Sequence, residues 1–472
     1  MDARILLDEE ITPDGDRLVR AMLELRGEAP PDDDARPPLN LSLVLDRSGS
    51  MGGDKLKAAR DAAARLVRRL SPRDHVSVVA YDDQVTTVAE PGTGAEQEDL
   101  AQRIQSIHAG GTTNLSGGWL RGRALVSQAR ATIEARAQAE AEAQAEADAQ
   151  EEAKEKANPG KTADATPKPH APSPKPVNRI LLLTDGLANV GITDHDQLTG
   201  LAATAAREGV TTTTIGFGEG FAEDLLRSMA DAGGGSTYYI EAADQAGDVF
   251  AEELEGLLGL AAQNVRVAIT PAGGHVSHIA VRHDFPATTA GTTLICELGD
   301  LYAREPKRLL VQSLVRLDAS ADETPVFDLV VDADVVLSDG AMEHRTVTLP
   351  VVVSRRAGPQ VGAEVRREAL LLDAAEARRK AMEAEGLGDF DGAKATLREV
   401  ANRLSFALPG DEEVREQADD LALMADRLDH TGAFAAADVK YMEQRSYDLM
   451  RSKRAAYEKI SRVRRGRRGK EE

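Results

Sequence analysis

Asp46, Ser48 and Ser50 stand on alternate residues of LSLVLDRSGSM, just past the apolar run Leu41 to Leu45. The run reads as a buried strand, and Asp-x-Ser-x-Ser beyond it aims three oxygen-bearing side chains at one point. Hard oxygen ligands in a loop at a strand's carboxyl end suit a small hard cation such as Mg²⁺. Two other segments offer oxygens in comparable places. GGTTNLSGG carries Thr112 and Thr113 in a tight turn ahead of a helix, and LLLTDGLANVG carries Asp185 after an apolar strand. Loops at the carboxyl ends of neighbouring strands in a doubly wound sheet converge on one crevice. Helix capping by a serine ahead of the helix at 54–70 accounts for one hydroxyl, but not for the remote threonine and aspartate.

The elements that must hold these loops alternate in type. Strand 41–45 leads to helix 54–70, whose Leu56, Ala59, Ala63, Leu66, Val67 and Leu70 recur at helical spacing. VSVVAYDD (76–83), RILLLTDG (179–186), VTTTTIGFG (210–218) and TYYIE (237–241) read as further strands, with VTTV (85–88) as a short partner. Near-continuous apolar strands alternating with helices predict an α/β, doubly wound, mostly parallel sheet. Strands 3–7 and 17–26 precede an acidic, proline-rich break. After about residue 260, runs such as NVRVAITP, TTLICELG and HRTVTLPVVVS follow one another without helices, the outline of a β-sandwich. The expected divisions are amino-terminal strands at 1–37 that pair with the sandwich, the α/β domain at 38–258, the sandwich at 259–357 and a helical region at 358–472. An insertion at 132–177 is Ala- and Glu-rich in its first half, prolonging a surface helix, and Pro- and Lys-rich in its second. It is either a spacer or a partner-docking arm. Turns are expected at 388–394 and 430–437, and the basic tail SRVRRGRRGKEE is expected to be disordered.

DxSxS, the threonine turn and the TDG strand end together resemble the von Willebrand factor A (VWA) domain, a Rossmann-like fold, and its metal-ion-dependent adhesion site (MIDAS). The likeness covers about 38–258, and wording such as TDGLANVGITD looks like bacterial members of the family. It implies that Ser48, Ser50 and Thr113 give neutral oxygens to Mg²⁺ (or Mn²⁺ or Ca²⁺), with Asp46 and Asp185 ligating directly or through water. It favours Thr113 over Thr112 by distance from the following helix at Gly118 and Leu120. An exchangeable position on the ion would take a carboxylate from a partner protein's Asp or Glu. Family resemblance also allows a scaffold or regulatory subunit of an AAA+ ATPase machine of the MoxR or chelatase type. A Mg²⁺-dependent phosphatase is the enzymatic alternative. It needs a second carboxylate two residues after the nucleophile, where this chain has Ser48, so binding rather than catalysis is expected.

Composition narrows the classes. Lys and Arg total 57 against 79 Asp and Glu, a formal net charge of −22, which opposes nucleic-acid binding by the chain as a whole. No apolar run approaches the roughly eighteen residues of a membrane span. The start, MDARILLDEE, lacks a basic stretch ahead of an apolar core, so no signal peptide and a cytoplasmic location are expected. The single cysteine, Cys296, lies in TTLICEL and reads as a small buried hydrophobe. His108, Asp82, Asp83 and Trp119 flank the candidate site. A surface histidine, a solvated Asp turn and a core tryptophan are the simpler assignments. Glu219, Glu223 and Asp224 have no nucleophile beside them in the sequence.

Overall fold

A computed structural model describes residues 1–452 apart from 14, 29–35, 94–95, 158–174, 219–221, 241, 304, 318–320, 357 and 409. The second half of the insertion, Glu219 and the basic tail lie outside the described residues. The chain divides into two compact units: one of Ala29–Gln263 and Asp334–His344, the other of Met1–Glu28, Asn264–Ala333 and Arg345–Glu472.

The discontinuous unit begins with β1 (Asp2–Ile11) and β2 (Arg17–Arg26), a hairpin paired antiparallel. The chain then builds the α/β unit from β3 (Leu39–Asp46), α1 (Asp54–Arg68), β4 (His75–Tyr81), β5 (Val85–Thr93), α2 (Gln97–Gln105) and α3 (Leu115–Ala157). It continues through β6 (Val177–Thr184), α4 (His195–Arg207), β7 (Val210–Phe217), α5 (Glu223–Ala232), β8 (Gly234–Ile240) and α6 (Ala246–Leu258). The sheet order is β5-β4-β3-β6-β7-β8, parallel throughout except for β5, which runs antiparallel to β4. The expected α/β doubly wound sheet is the observed one. All eight residues of β3, β6 and β7 are buried, as strands covered on both faces require.

Alternation decides which helices cover which face. Val44, Val79, Ile180 and Leu182 share one cluster with Trp119 of α3, Leu198 of α4 and Leu225 of α5. On α1, Leu56, Ala59, Ala63, Leu66 and Val67 are buried, and this helix packs against α2 and α6. The run of threonines in β7 is legal in a core because the hydroxyls of Thr212, Thr213 and Thr214 find partners. Thr213 donates to Glu253 at 2.7 Å, Thr214 to the Leu226 carbonyl at 2.9 Å, and Thr212 accepts from the Trp119 indole at 3.1 Å. α3 runs 43 residues. Its start buries Leu115, Trp119, Leu125 and Val126, whereas its described side chains beyond Arg130 are exposed or half-buried.

In the other unit, β13 (Lys307–Val315) pairs antiparallel with β2, which gives the order β1-β2-β13-β10 with β10 (Val276–Val281) at the far edge. A second sheet has the order β11-β12-β9-β14-β15, from β9 (Leu260–Pro271), β11 (Ala287–Ala290), β12 (Thr293–Tyr302), β14 (Glu323–Val336) and β15 (Met342–Ser354). Four helices follow: α7 (Ala363–Gly386), α8 (Phe390–Ala407), α9 (Glu412–Thr431) and α10 (Ala436–Met450). Asp389 and Asp411 cap α8 and α9 through the Gly392 and Val414 amides, and Gly432, at φ 73°, ends α9. Met22 of β2 and Leu310 of β13 belong to the same core cluster as these helices. Cys296 is buried on β12, and burial pushes its thiol up to about 11, away from the reactive thiolate. Among the described residues, no helix is long and apolar enough to cross a membrane.

Candidate metal centre

The chain leaves β3 toward β4 on one side and later adds β6 on the other. That is the switch point of the sheet, where loops beyond the strand ends open a crevice. Asp46, the last residue of β3, is fully buried. Its Oδ1 accepts from the Ser48 amide at 2.7 Å and its Oδ2 from Thr184 Oγ1 at 2.6 Å, so the carboxylate ties the loop to the end of β6. Burial pushes the Asp46 carboxyl above its ordinary range, while the Thr184 and Ser48 donors pull the other way.

Ser48 Oγ and Ser50 Oγ lie 3.1 Å apart, and Ser50 Oγ donates to Asp185 Oδ1 at 2.7 Å. The other oxygen of that carboxylate, Oδ2, accepts from Lys55 Nζ at 2.6 Å. Thr113 is 3% exposed, whereas Thr112 is exposed. A Cβ built on Gly186 would stand 3.2 Å from Thr113 Oγ1 and 3.8 Å from Ser50 Oγ. The glycine therefore lets the strand end come close to both hydroxyls. The Thr113 carbonyl accepts from the Asn189 and Val190 amides at 3.1 and 3.2 Å, and the Gly49 amide donates to the Gly111 carbonyl at 2.9 Å. These backbone bonds stitch the three loops together. They bring Asp46, Ser48, Ser50, Thr113 and Asp185 to one place.

The donor set is all oxygen, two carboxylates and three hydroxyls, which fits Mg²⁺, Mn²⁺ or Ca²⁺. Among the described residues, no group of three or more His, Cys, Asp or Glu could hold a metal. An ion held here would therefore lean on hydroxyls. The Thr113 hydroxyl, nearly buried, has no hydrogen-bond partner among the described residues, and its lone pairs are available to a cation.

Asp82 departs from the solvated-turn reading. It is buried, and it accepts from the Arg47 guanidinium at 3.2 Å, the Gln84 amide at 2.8 Å and the Gly111 amide at 3.2 Å. Burial alone would raise its carboxyl, but the Gln84 and Gly111 amides and Arg47 outweigh that and hold it below the ordinary range. A side chain at Gly110 would overlap this carboxylate, so Asp82 is what the glycine turn folds around. Asp83 and His108 are exposed, Trp119 is core, and Glu223 and Asp224 open α5. Sequence reasoning missed Thr184 and Lys55. Lys55 left one trace: a lysine in a helix's first turn, where the macrodipole favours anions, needs a local acidic partner.

Residues 41–145 match the von Willebrand factor type A domain family, whose members are metal-dependent protein-interaction modules. Over 322 residues the chain is 26% identical to an uncharacterized protein, sll0103, of Synechocystis sp., a match covering 66% of each chain. Over 196 residues it is 24% identical to human inter-alpha-trypsin inhibitor heavy chain H3, covering 41% of this chain and only 18% of that relative. The chain thus spans no more than about two thirds of either relative's length. A solved structure, von Willebrand factor type A from Catenulispora acidiphila, superposes at 15% identity with a TM-score of 0.65. That alignment covers 94% of this chain and 96% of the other, so both sheets and the helices beyond the α/β unit belong to a shared fold. The family match starts on β3 and is confined to residues 41–145, while the fold is common along nearly the whole length, so this chain has the von Willebrand factor type A fold in its α/β unit.

Proposed function

We propose that the chain recognises a partner protein through a divalent cation held by Asp46, Ser48, Ser50, Thr113 and Asp185, and that a partner Asp or Glu completes the ion's coordination. The observation that carries this reading is the convergence of oxygens from three separate loops, with Thr113 and Ser50 aimed across Gly186. When bound, the cation would supply a Lewis-acidic position that a carboxylate can fill. The protein's own contribution is rigidity. Asp46 braces the DxSxS loop against Thr184, and Asp82 braces the glycine turn. Mg²⁺ is the first choice of ion, ahead of Mn²⁺ and Ca²⁺.

Recognition is favoured over turnover by the state of Asp46. Both of its oxygens already accept internal hydrogen bonds and the residue is fully buried, which suits it to brace the loop and to hold the ion directly or through water rather than to attack a phosphoryl group. Ser48, the residue a phosphatase would need as a carboxylic acid, instead shares a hydrogen bond with Ser50.

Calorimetric titration with Mg²⁺ and with Mn²⁺ tests the reading. The natural chain should bind one ion, and Asp46→Ala should lose at least about tenfold in affinity. Equal binding by both proteins removes the site. Pull-downs with and without chelator should then differ in the partner recovered; identical recoveries would reject ion-dependent capture.

A further inference from the structure

Among the described residues, Lys55 is the only cation bonded to either carboxylate of the centre, and it bonds Asp185. It extends from the second residue of α1, and its Nζ donates to Asp185 Oδ2 at 2.6 Å. The Asp185 side chain is fully buried and that of Lys55 is 36% exposed, so the contact sits at the mouth of the crevice. The end of β7 makes room for it. A Cβ on Gly218 would stand 3.2 Å from Lys55 Nζ and 3.3 Å from its Cε. Gly218 has φ +77°, a backbone that disfavours other residues. Arg47, in the DxSxS loop itself, is engaged with Asp82 at 3.2 Å. Asp54, the residue before Lys55, is exposed at the helix start.

We propose that Lys55 is an internal counter-cation that competes with the divalent ion for Asp185 and so sets the ion affinity of the centre. The idea rests on the metal-dependent reading above and adds a residue to it. Asp46 and Asp185 would give the crevice two formal negative charges, and Lys55 cancels one of them. A divalent ion entering a centre of lower negative charge is held less tightly, because attraction scales with the charge it meets at short range. The same ion is then less neutralised by its own ligands, and it retains more attraction for a carboxylate from outside. A lysine suits this task. Its ammonium is a compact point charge on a flexible stem, able to leave Asp185 Oδ2 without disturbing Ser50 on Oδ1. The position opposes the helix dipole, which favours anions at that end, so the Asp185 contact must compensate.

The test is calorimetric titration of the full chain with Mn²⁺ and Mg²⁺, comparing the natural protein with Lys55→Met and Lys55→Gln. Lys57→Met, which removes an exposed charge two residues along α1, serves as the control for general electrostatics. Both Lys55 variants should bind the ions about tenfold more tightly, the scale of one lost short-range charge. Lys57→Met should match the natural protein. Thermal unfolding in chelator confirms that each variant is folded, and two neutral replacements guard against one of them failing to fold. If the natural chain binds the ion and neither Lys55 variant binds it more tightly, the competition is overturned and the proposed metal centre stands. A weaker affinity in both would make Lys55 a positioning residue for Asp185 and equally overturn it. Binding by none of the proteins would reject both readings. Ion binding that appears only in the Lys55 variants would support competition in its strongest form.

Discussion

Thr112 and Thr113 are chemically identical neighbours, and the fold gives them opposite exposures. Thr113 is nearly buried with its hydroxyl beside Gly186 and Ser50, while Thr112 faces outward. Replacing Thr113 by valine keeps the shape and deletes the oxygen, so ion affinity should fall about tenfold. Thr112→Val should leave it unchanged. Paired titrations of the two variants check this, and equal losses would mean that the turn as a whole matters and not one hydroxyl. At this scale legibility depended on how far apart the residues lie. Asp46, Ser48 and Ser50 sit within five residues, so spacing alone announces them. Thr113 and Asp185 became readable only through the rule that loops past neighbouring strand ends converge. Thr184 gave no signal, because nothing local shows that a strand-end threonine will donate to a carboxylate 138 residues away. Asp82 reads as solvated in the sequence because acidic residues after strands usually are. Its three donors come from Arg47, Gln84 and Gly111, two of them remote in sequence.

Elements at the opposite end of the central strands are fixed by a second buried charge. Arg36 and Asp74 form a bidentate pair at 2.8 and 2.7 Å, and the Leu39 and Ser71 amides donate to the same carboxylate. The pair joins the start of β3 to the turn before β4, so it sets the register at the strands' amino ends while Asp46 works at the carboxyl end. Burial would raise the Asp74 carboxyl, but Arg36 and the two amides together lower it below its ordinary 3.8. The unfolded chain therefore binds this proton more readily than the folded one. The stabilisation is fully present above the ordinary value and is lost as pH falls through the lower folded value. Asp74→Ala should cost roughly 3–5 kcal/mol at neutral pH, because it strands a buried guanidinium. The deficit relative to the natural chain should shrink as pH drops below about 4. Denaturant unfolding at pH 7 and in acid measures both, and a pH-independent difference would refute the assignment. The same scale shows why strand types were legible and some boundaries were not. β3, β6 and β7 announce themselves by continuous apolar or β-branched runs. β5 continues through Thr93, past the four residues that its pattern suggested, because pairing with β4 and not local propensity extends it.

At the scale of the molecule, the chain's path matters more than its composition. The α/β unit is very nearly one continuous stretch, Ala29–Gln263, whereas the other unit is assembled from segments on both sides of it. Strand β2 lies between β1 and β13, with Val19, Ala21, Met22, Leu23 and Leu25 fully buried. Its partner Leu310 is 288 residues from Met22 in the chain. The amphipathic pattern revealed β2 as a strand, but only the pairing shows that it is an interior one, since register between distant segments leaves no trace in a single sequence. The two units therefore differ in what they need in order to fold. The α/β unit has its own six-stranded sheet, helices on both faces and every residue of the candidate centre. A fragment of residues 36–263 retains Arg36 for Asp74 and all six strands of the sheet. It should unfold in one cooperative transition and bind Mn²⁺ as the full chain does. Because the proposed centre is assembled only in the folded form, saturating ion should raise the fragment's stability by RT ln(1 + [L]/Kd), about 2.7 kcal/mol at a hundredfold excess over Kd. A fragment of 1–28 joined to 264–452 faces the opposite situation, since β2 must still find β13 but no longer across an intervening folded unit. Thermal melts of the 36–263 fragment with Mn²⁺ and with chelator decide the point. A non-cooperative melt, or a midpoint indifferent to the ion, would show that the α/β unit depends on residues outside its own stretch of chain.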